Sequence, residues 1–294
     1  MKNYLSIFLI ELFFYSMVKF SKALVVAFHK EKSKPILQEV KDLLSKNSFN
    51  FALYDEEKDL PANDFDIVLV IGGDGSMLSA AKKFSFLKCH FLGINLGRVG
   101  FMADLEPSKI KENLLDILQG NNEIEEKDVI ECSYNGNRYY AFNEAVLHTE
   151  KSYKLIDFEV KIEDSLAYSK SSDGLIISTV TGSTAYSLSA GGPILSPEIE
   201  GFVVTPLNPL SLSARPLIVS NKKVIEVNVL KIPSGLKSLI ILDGNQEIML
   251  ENSNLSFSVR SADRKFKLVH PKGYDFYQIC RSKLNWSLNK EPEN

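Results

Sequence analysis

Hydrophobic positions in residues 22–120 alternate between short continuous apolar runs and segments with helical spacing. The apolar runs predict strands at 23–28, 51–54, 66–71 and 91–95. The segments with helical spacing predict three helices, at 33–46, 76–84 and 107–118. Ser33 is the predicted N-cap of the first helix and Ser108 that of the third. Continuous apolar strands joined by helices are typical of a parallel sheet covered on both faces. We therefore expect a Rossmann-like α/β domain over 22–120.

The pattern changes after residue 121, where short alternating or β-branched segments follow one another. These predict strands at 129–134, 138–142, 155–162, 174–178, 224–229, 239–242 and 255–259. Asn135-Gly136 and Asp243-Gly244 are turn signals between them. We expect an all-β domain over 121–269, connected by the polar stretch 120–128. Residues 270–294 become helical and aromatic again, and we expect them to pack back on the first domain.

Residues 1–21 form an apolar extension that three interpretations fit. The stretch resembles a signal peptide, but Glu11 interrupts its apolar run and no small-residue cleavage site follows. The run is too short for a membrane-spanning helix, which needs about 20 residues. We favour a mis-assigned start with Met17 as the first residue. A peripheral apolar extension and an export signal are the alternatives.

Composition limits the function classes that fit the chain. The 294 residues carry a formal net charge of −3, which gives no general attraction to nucleic acid or to an acidic membrane. The three cysteines lack CxxC spacing and indicate reduced thiols, so we expect a cytoplasmic protein. The four histidines form no HExxH motif, and we expect no metal held by protein ligands.

Gly72-Gly73-Asp74-Gly75 lies where a buried strand is expected to run into a helix. Glycines and a helix N-terminus present N–H groups to phosphate, so we expect Gly72, Gly73 and Gly75 to bind phosphate. The turn matches neither a Walker A loop nor a dinucleotide fingerprint. Asp74 would repel phosphates unless it accepts a proton, which is the role of a general base in phosphoryl transfer. The alternative is a helix cap.

Two further segments carry candidate binding residues. Residues 178–193 are dense in hydroxyls and glycines, and Tyr186 offers an aromatic face for stacking. Asn143-Glu144 follows a predicted strand, and an amide with a carboxylate suits a ribose diol. The alternatives are a closely packed helix start for the first segment and a surface loop for the second.

Taken together, these segments resemble the NAD kinase family. The matching stretches are Gly72 to Ser76, Gly93 to Phe101, Asn143-Glu144, Ser172 to Gly174, Thr181 to Tyr186, Gly191 to Pro193 and Leu212 to Pro216. The block Thr-Gly-Ser-Thr-Ala-Tyr with Asn-Glu upstream is its most specific part, since lipid kinases and phosphofructokinases carry similar glycine-aspartate turns. The resemblance runs in order from about residue 22 to about residue 286.

The resemblance implies phosphorylation of the 2′-hydroxyl of the adenosine ribose of NAD by ATP with Mg²⁺. It implies a site between two domains, completed by a neighbouring subunit in a homodimer or homotetramer. Asp74 would be the base, and Arg98 a cation facing the phosphates beside Gly72, Gly73 and Gly75. The remaining implied substrate contacts are Asn143, Glu144, Lys154, Ser171, Asp173, Thr181, Thr184, Ala185, Tyr186, Ser187, Leu188, Ser189 and Asn245.

The sequence departs from the family pattern at three positions. Val180 stands where proline is usual, Leu210 where histidine is common, and Asn245 where glutamine is usual, with Gln246 as a possible substitute. Ser171 leaves the choice between NAD and NADH open, and polyphosphate stays an alternative donor. A lipid kinase and a non-catalytic NAD-binding regulator are the competing functions. The first would need an apolar acyl pocket, and the second would lack the base.

Overall fold

The computed structural model describes residues 18–57, 64–84, 87–97, 100–151, 154–211, 213–251 and 253–286. Two predictions lie outside the described residues. These are the apolar extension up to Met17, including its proposed start, and the phosphate ligand Arg98.

The N-terminal domain is built on a six-stranded sheet. Four strands run parallel as predicted: β1 (Lys22–Val26), β2 (Asn50–Leu53), β3 (Ile67–Ile71) and β4 (His90–Ile94). All five residues of β3 are buried, which explains its unbroken apolar run. Helix α2 (Asp74–Phe84) packs on one face of the sheet, and α1 (Lys30–Lys46) with α3 (Ile110–Leu118) packs on the other.

Two strands from outside the predicted domain complete this sheet. Residues 122–127, expected to be a polar connection, instead form β5 (Asn122–Lys127). β5 pairs antiparallel with β18 (Phe266–Pro271), which itself runs parallel to β4. The strand order is therefore β2-β1-β3-β4-β18-β5. The chain returns to its first sheet close to its C-terminus, which local patterning could not show.

The C-terminal domain consists of two antiparallel six-stranded sheets that pack face to face. Their orders are β10-β9-β14-β17-β6-β7 and β13-β12-β11-β8-β15-β16. Phe158 and Val227 from the first sheet share one core with Leu147 and Phe202 from the second. The strands are β6 (Ile130–Tyr134), β7 (Asn137–Ala141), β8 (Glu144–Thr149), β9 (Ile156–Ile162), β10 (Ser165–Ser172), β11 (Gly174–Ser178), β12 (Gly201–Leu207), β13 (Leu217–Ser220), β14 (Ile225–Lys231), β15 (Ser238–Leu242), β16 (Gln246–Met249) and β17 (Ser256–Ser261).

Both predicted N-caps were wrong. Ser33 lies inside the first turn of α1, where its hydroxyl donates to the carbonyl of His29 over 2.6 Å, and His29 occupies the N-cap position. Ser108 lies within a 3-10 turn (Pro107–Lys109) that precedes α3. The helix after β3 begins at Asp74, two residues earlier than predicted. Serine also bonds carbonyls within a helical turn, so its presence alone does not place a helix start.

The C-terminal segment returns to the N-terminal domain, as predicted. Helix α5 (Phe276–Leu284) begins after Asp275, whose carboxylate accepts from the N–H groups of Tyr277 and Gln278. Its buried residues Ile279 and Cys280 pack against Phe101 from the loop after β4. In the part of the chain that the structure describes, no helix is both long enough and apolar enough to cross a membrane.

Candidate active site

Asp74 is the first residue of α2, at the carboxyl end of the buried strand β3. The N–H of Gly72 donates to the carbonyl of Ile94 at 2.9 Å, which ties the turn to neighbouring β4. A Cβ on Gly72 would lie 2.4 Å from Cβ of Ser76, an atom that side-chain rotation cannot move, so this position requires glycine. Gly73 and Gly75 have open space on their Cβ side. The turn therefore presents Asp74 together with exposed backbone.

Four donors hold the Asp74 carboxylate. Oδ1 accepts from the N–H groups of Met102 (2.9 Å) and Ala103 (3.3 Å), and Oδ2 accepts from the N–H of Phe101 (3.1 Å). The fourth donor is the ammonium of Lys283, with Nζ 2.6 Å from Oδ2. The Asp74 side chain is 28% exposed, so the carboxylate is fixed in orientation and still open to the cavity beside it.

The loop after β4 supplies three of these donors because it folds back over its own strand. The side-chain amide of Asn95 donates to the carbonyl of Ala103 at 2.9 Å, and a Cβ on Gly93 would lie 2.5 Å from Cα of Ala103. Gly100 approaches Asp74 itself, since a Cβ there would lie 2.1 Å from Oδ1. The glycines of this loop allow backbone N–H groups to reach the carboxylate.

A cavity of about 830 Å³ lies between the two domains, with Asp74 on its wall. Its size is within the range of small-molecule sites. Five of the predicted site residues line it: Asp74, Asn143, Thr181, Thr184 and Ala185. The loop after β4 and the end of α5 form the remaining wall with Phe101, Met102, Ser282, Lys283, Leu284 and Asn285.

The hydroxyl-rich segment after β11 forms a 3-10 turn (Thr181–Thr184) and a short helix, α4 (Tyr186–Ser189). Thr179 anchors the turn, because its hydroxyl donates to the carbonyl of Phe142 (2.7 Å) and accepts from the N–H of Gly182 (3.0 Å). A Cβ on Gly182 would lie 2.1 Å from the carbonyl oxygen of Asn143. These contacts bring Asn143 and the threonines to the same wall.

Asp243 orders the segment that carries Asn143 and Glu144. Its fully buried carboxylate accepts from the N–H groups of Phe142 (3.0 Å), Asn143 (2.7 Å) and Glu144 (3.2 Å). Nζ of Lys82 on α2 lies 3.2 Å from Asp243 Oδ2 and 2.5 Å from Oδ1 of Asn245. This network connects α2, which begins with Asp74, to the ribose-binding candidates of the second domain.

Glu144 is buried with its carboxylate next to this network. Burial, followed by the charge of Asp243, raises the pKa of Glu144 to about 7, against the smaller opposing effects of the Tyr186 N–H and Lys82. Oε2 of Glu144 has no hydrogen-bond partner among the described residues. A buried acceptor without a partner, one residue after Asn143 on the cavity wall, suits a ligand hydroxyl group.

We expect Glu144→Gln to flatten the dependence of stability on pH. The carboxyl titrates near 4.5 when unfolded and near 7 when folded, so the folded state binds more protons between these values. Stability therefore falls as pH rises through this window, by up to about 3 kcal/mol at about 1.4 kcal/mol per pKa unit. Urea unfolding from pH 4.5 to pH 8 should show a smaller loss of stability in the variant than in the wild type, since the variant removes the Glu144 contribution and keeps those of His90 and His270. Glu247→Gln, on the exposed side of β16, is the matched control. An equal pH dependence in the wild type and Glu144→Gln would contradict this prediction.

The remaining predicted contacts lie outside the wall of this cavity. Tyr186 is 45% exposed, and Leu188 and Ser189 follow it in α4. Ser187 is fully buried, and its hydroxyl lies 3.2 Å from that of Thr205, so the side chain attaches α4 to β12. Only the backbone of Ser187 is therefore left for the predicted ligand contact. Asn245 is bonded to Lys82.

Three predicted contacts lie towards β9 and β10. The hydroxyl of Ser171 bonds the carboxylate of Asp157, and both line a separate cavity that also contains Leu210. Asp173 Oδ2 accepts from the side-chain amide of Asn208 at 3.0 Å. Lys154 is exposed just before β9.

Sequence reasoning gave no role to several residues of the site, of which Lys283 and Asp243 have the most consequence. Lys283 gave no signal, because a lysine in the last turn of a helix is common for interaction with the helix dipole. Asp243 was noted only as part of a turn signal, and its positive φ of 46° fits that reading. Its buried carboxylate bonds three backbone N–H groups that lie about a hundred residues earlier in the chain, so no local pattern indicates these contacts.

The chain is similar in sequence to known proteins. Residues 15–122 match the family model of the ATP-NAD kinase N-terminal domain, and residues 142–271 match that of the ATP-NAD kinase C-terminal domain. The chain is 39% identical over 227 residues to the NAD kinase of Teredinibacter turnerae, covering 76% of this chain and 77% of the relative. It is 40% identical over 227 residues to the NAD kinase of Erwinia tasmaniensis, with the same coverage.

Two solved structures share the fold. One is an NAD kinase from Archaeoglobus fulgidus in complex with ATP, with a TM-score of 0.72 and 23% identity, covering 89% of this chain and 99% of that one. The other is yeast NADH kinase complexed with NADH, with a TM-score of 0.77 and 21% identity, covering 94% and 91%. At these identities the similarity to the two solved structures establishes the fold alone. The family models and the relatives at 39% and 40% identity establish similarity of sequence. The chain belongs to the NAD kinase family.

Proposed function

We propose that this protein transfers the γ-phosphoryl group of ATP to the 2′-hydroxyl of the adenosine ribose of NAD, giving NADP, with Asp74 as general base. The observation that carries this proposal is the Asp74 carboxylate, fixed by backbone N–H groups on the wall of a cavity between the domains. Membership of the NAD kinase family supplies the substrates.

The geometry of Asp74 suits proton abstraction from an alcohol. Backbone donors from Phe101, Met102 and Ala103 hold the carboxylate in one orientation, so a hydroxyl that reaches it meets a positioned acceptor. Phosphoryl transfer leaves little covalent work for the protein beyond such positioning and the stabilisation of charge. The exposed glycine turn at Gly73 and Gly75 is the proposed neighbour of the phosphates, with Gly72 supporting it.

The second domain is proposed to hold NAD. Asn143 and the buried carboxyl of Glu144 offer acceptors and donors to ribose hydroxyls. Thr181, Thr184 and Ala185 would border the adenosine, with exposed Tyr186 against its ring. The other proposed contacts to NAD, which a second subunit is proposed to complete, are Lys154, Ser171, Asp173, the backbone of Ser187, Leu188, Ser189 and Asn245.

ATP is proposed to enter as its Mg²⁺ complex. No group of three or more metal-ligating side chains occurs among the described residues, and both oxygens of the cavity carboxylate Asp74 already accept hydrogen bonds. The ion therefore fits as a partner of the nucleotide phosphate oxygens.

The proposal predicts that purified protein forms NADP from NAD, ATP and Mg²⁺. A coupled assay with an NADP-specific dehydrogenase would follow the product, in parallel reactions that replace NAD by NADH or ATP by polyphosphate. Product with ATP supports the proposed donor, and product only with polyphosphate would correct it. A protein that binds NAD and forms no product with either donor would contradict the kinase assignment.

A further inference from the structure

Lys283 places a positive charge on the wall of the cavity from a distant part of the chain. It lies in the last turn of α5, 209 residues after Asp74, with Nζ 2.6 Å from Oδ2 of that residue. The ammonium also lies 4.8 Å from the centroid of the Phe101 ring. Among the described residues that line the cavity, Lys283 is the only cation.

The contact between Lys283 and Asp74 conflicts with the action of a base. A carboxylate offers about four acceptor positions, and Asp74 has four donors: three backbone N–H groups and Lys283. A substrate hydroxyl therefore needs one donor to leave. The N–H groups belong to a loop that is bonded back to Asn95, whereas Lys283 has a flexible four-carbon stem and a side chain that is 31% exposed.

The phosphoryl group offers Lys283 a second partner. In-line transfer brings the γ-phosphoryl group next to the hydroxyl that Asp74 activates, and therefore close to the present position of Nζ. The charge on that group requires fixed positive partners in the transition state. Helix α5 can supply one without rearrangement, because Ile279 and Cys280 already anchor it against Phe101.

We propose that the ammonium of Lys283 pairs with Asp74 in the substrate-free enzyme. When ATP binds, this ammonium leaves Asp74 and pairs with the γ-phosphoryl group. This inference rests on the proposed function. The exchange frees Oδ2 of Asp74 to accept the proton of the 2′-hydroxyl. The bond between the ribose oxygen and the γ-phosphorus then forms as the bond to the β,γ-bridging oxygen breaks, and ADP leaves with that electron pair. Binding of the nucleotide thus switches the base on.

Lys283→Met tests the proposal, because methionine keeps an unbranched side chain and removes the charge. We expect kcat to fall about 100-fold, the usual cost of removing one electrostatic partner of the transition state. The Kd of the Mg²⁺ complex of β,γ-imido-ATP should rise about tenfold by calorimetry, as for the loss of a charge-assisted hydrogen bond. The Kd of ADP, which lacks the γ-phosphoryl group, should stay unchanged.

Arg281→Met is the matched control, because Arg281 lies in the same helix and pairs with Asp275 at 3.6 Å, away from the cavity wall. Thermal unfolding should be similar for both variants. The proposal fails if Lys283→Met keeps the wild-type kcat, or if Arg281→Met loses as much activity. It also fails if affinity for ADP and the imido analogue falls equally, or if kcat falls with both affinities unchanged. An inactive wild type would instead overturn the proposed function, and the two affinities would still report on the phosphate contact.

Discussion

Replacing Asp74 by asparagine is expected to lower kcat about a thousandfold, within the range that general acid–base catalysis contributes. The amide has nearly the shape of the carboxylate, so we expect the fold and the NAD affinity to stay close to those of the wild type. The loss arises because an amide cannot take up the proton of the 2′-hydroxyl at neutral pH.

The hydrogen bonds around Asp74 sharpen this expectation. If the amide oxygen of the variant faces the N–H groups of Met102 and Ala103, its NH₂ group faces the N–H of Phe101 and the ammonium of Lys283. Two donors then oppose each other where a carboxylate oxygen accepted before. The variant therefore loses its proton acceptor and also repels Lys283 from its resting position.

Steady-state NADP formation and NAD calorimetry, run side by side, would measure both halves of the prediction. Asp42→Asn is a suitable control, because it removes the same charge from the exposed surface of α1. Near-wild-type turnover by Asp74→Asn would exclude Asp74 as the base. A parallel loss of NAD binding and of thermal stability would show instead that the carboxylate is chiefly structural.

The second large effect is expected from Gly100→Ala, a change of one methyl group outside the cavity wall. A Cβ at this position would lie 2.1 Å from Oδ1 and 2.8 Å from Cγ of Asp74, well inside van der Waals contact. Either the carboxylate or the loop must move. Since a misplacement of about 1 Å at a reacting group can cost about 100-fold, we expect kcat to fall by about that factor.

Gly97→Ala provides the matched comparison for this prediction. Gly97 belongs to the same loop, and its Cβ would meet no atom within 4 Å. We expect it to keep most of the wild-type kcat, with both variants folded by circular dichroism. Equal activity of the two alanine variants would show that the contact between Gly100 and Asp74 does not control catalysis.

Periodicity and local motifs were sufficient for the domain classes. The unbroken apolar run of β3 predicted a strand buried on both faces, because such a strand lies inside a parallel sheet. The glycine turn after it predicted a carboxylate between this strand and a helix, and Asp74 is the first residue of α2. Alternating segments beyond residue 121 predicted an all-β domain. These are local signals, since each depends on residues within a few positions of one another.

Local signals did not predict the two strands that complete the first sheet. β5 carries mostly polar residues, which favoured a connection, and it becomes a strand because β18 pairs with it after about 140 residues of intervening chain. Helix N-caps were also mis-assigned, because a serine serves equally well inside a first turn.

The sequence by itself determined which chemistry the chain carries: a carboxylate in a glycine turn, an Asn-Glu pair and a hydroxyl-rich segment. Only the tertiary structure decided what surrounds the carboxylate. Its donors come from a loop that folds back at Gly93 and Gly100, and from Lys283, which the packing of Ile279 and Cys280 against Phe101 brings to the cavity. Such contacts depend on burial and close packing between distant segments, and no spacing along the chain records them.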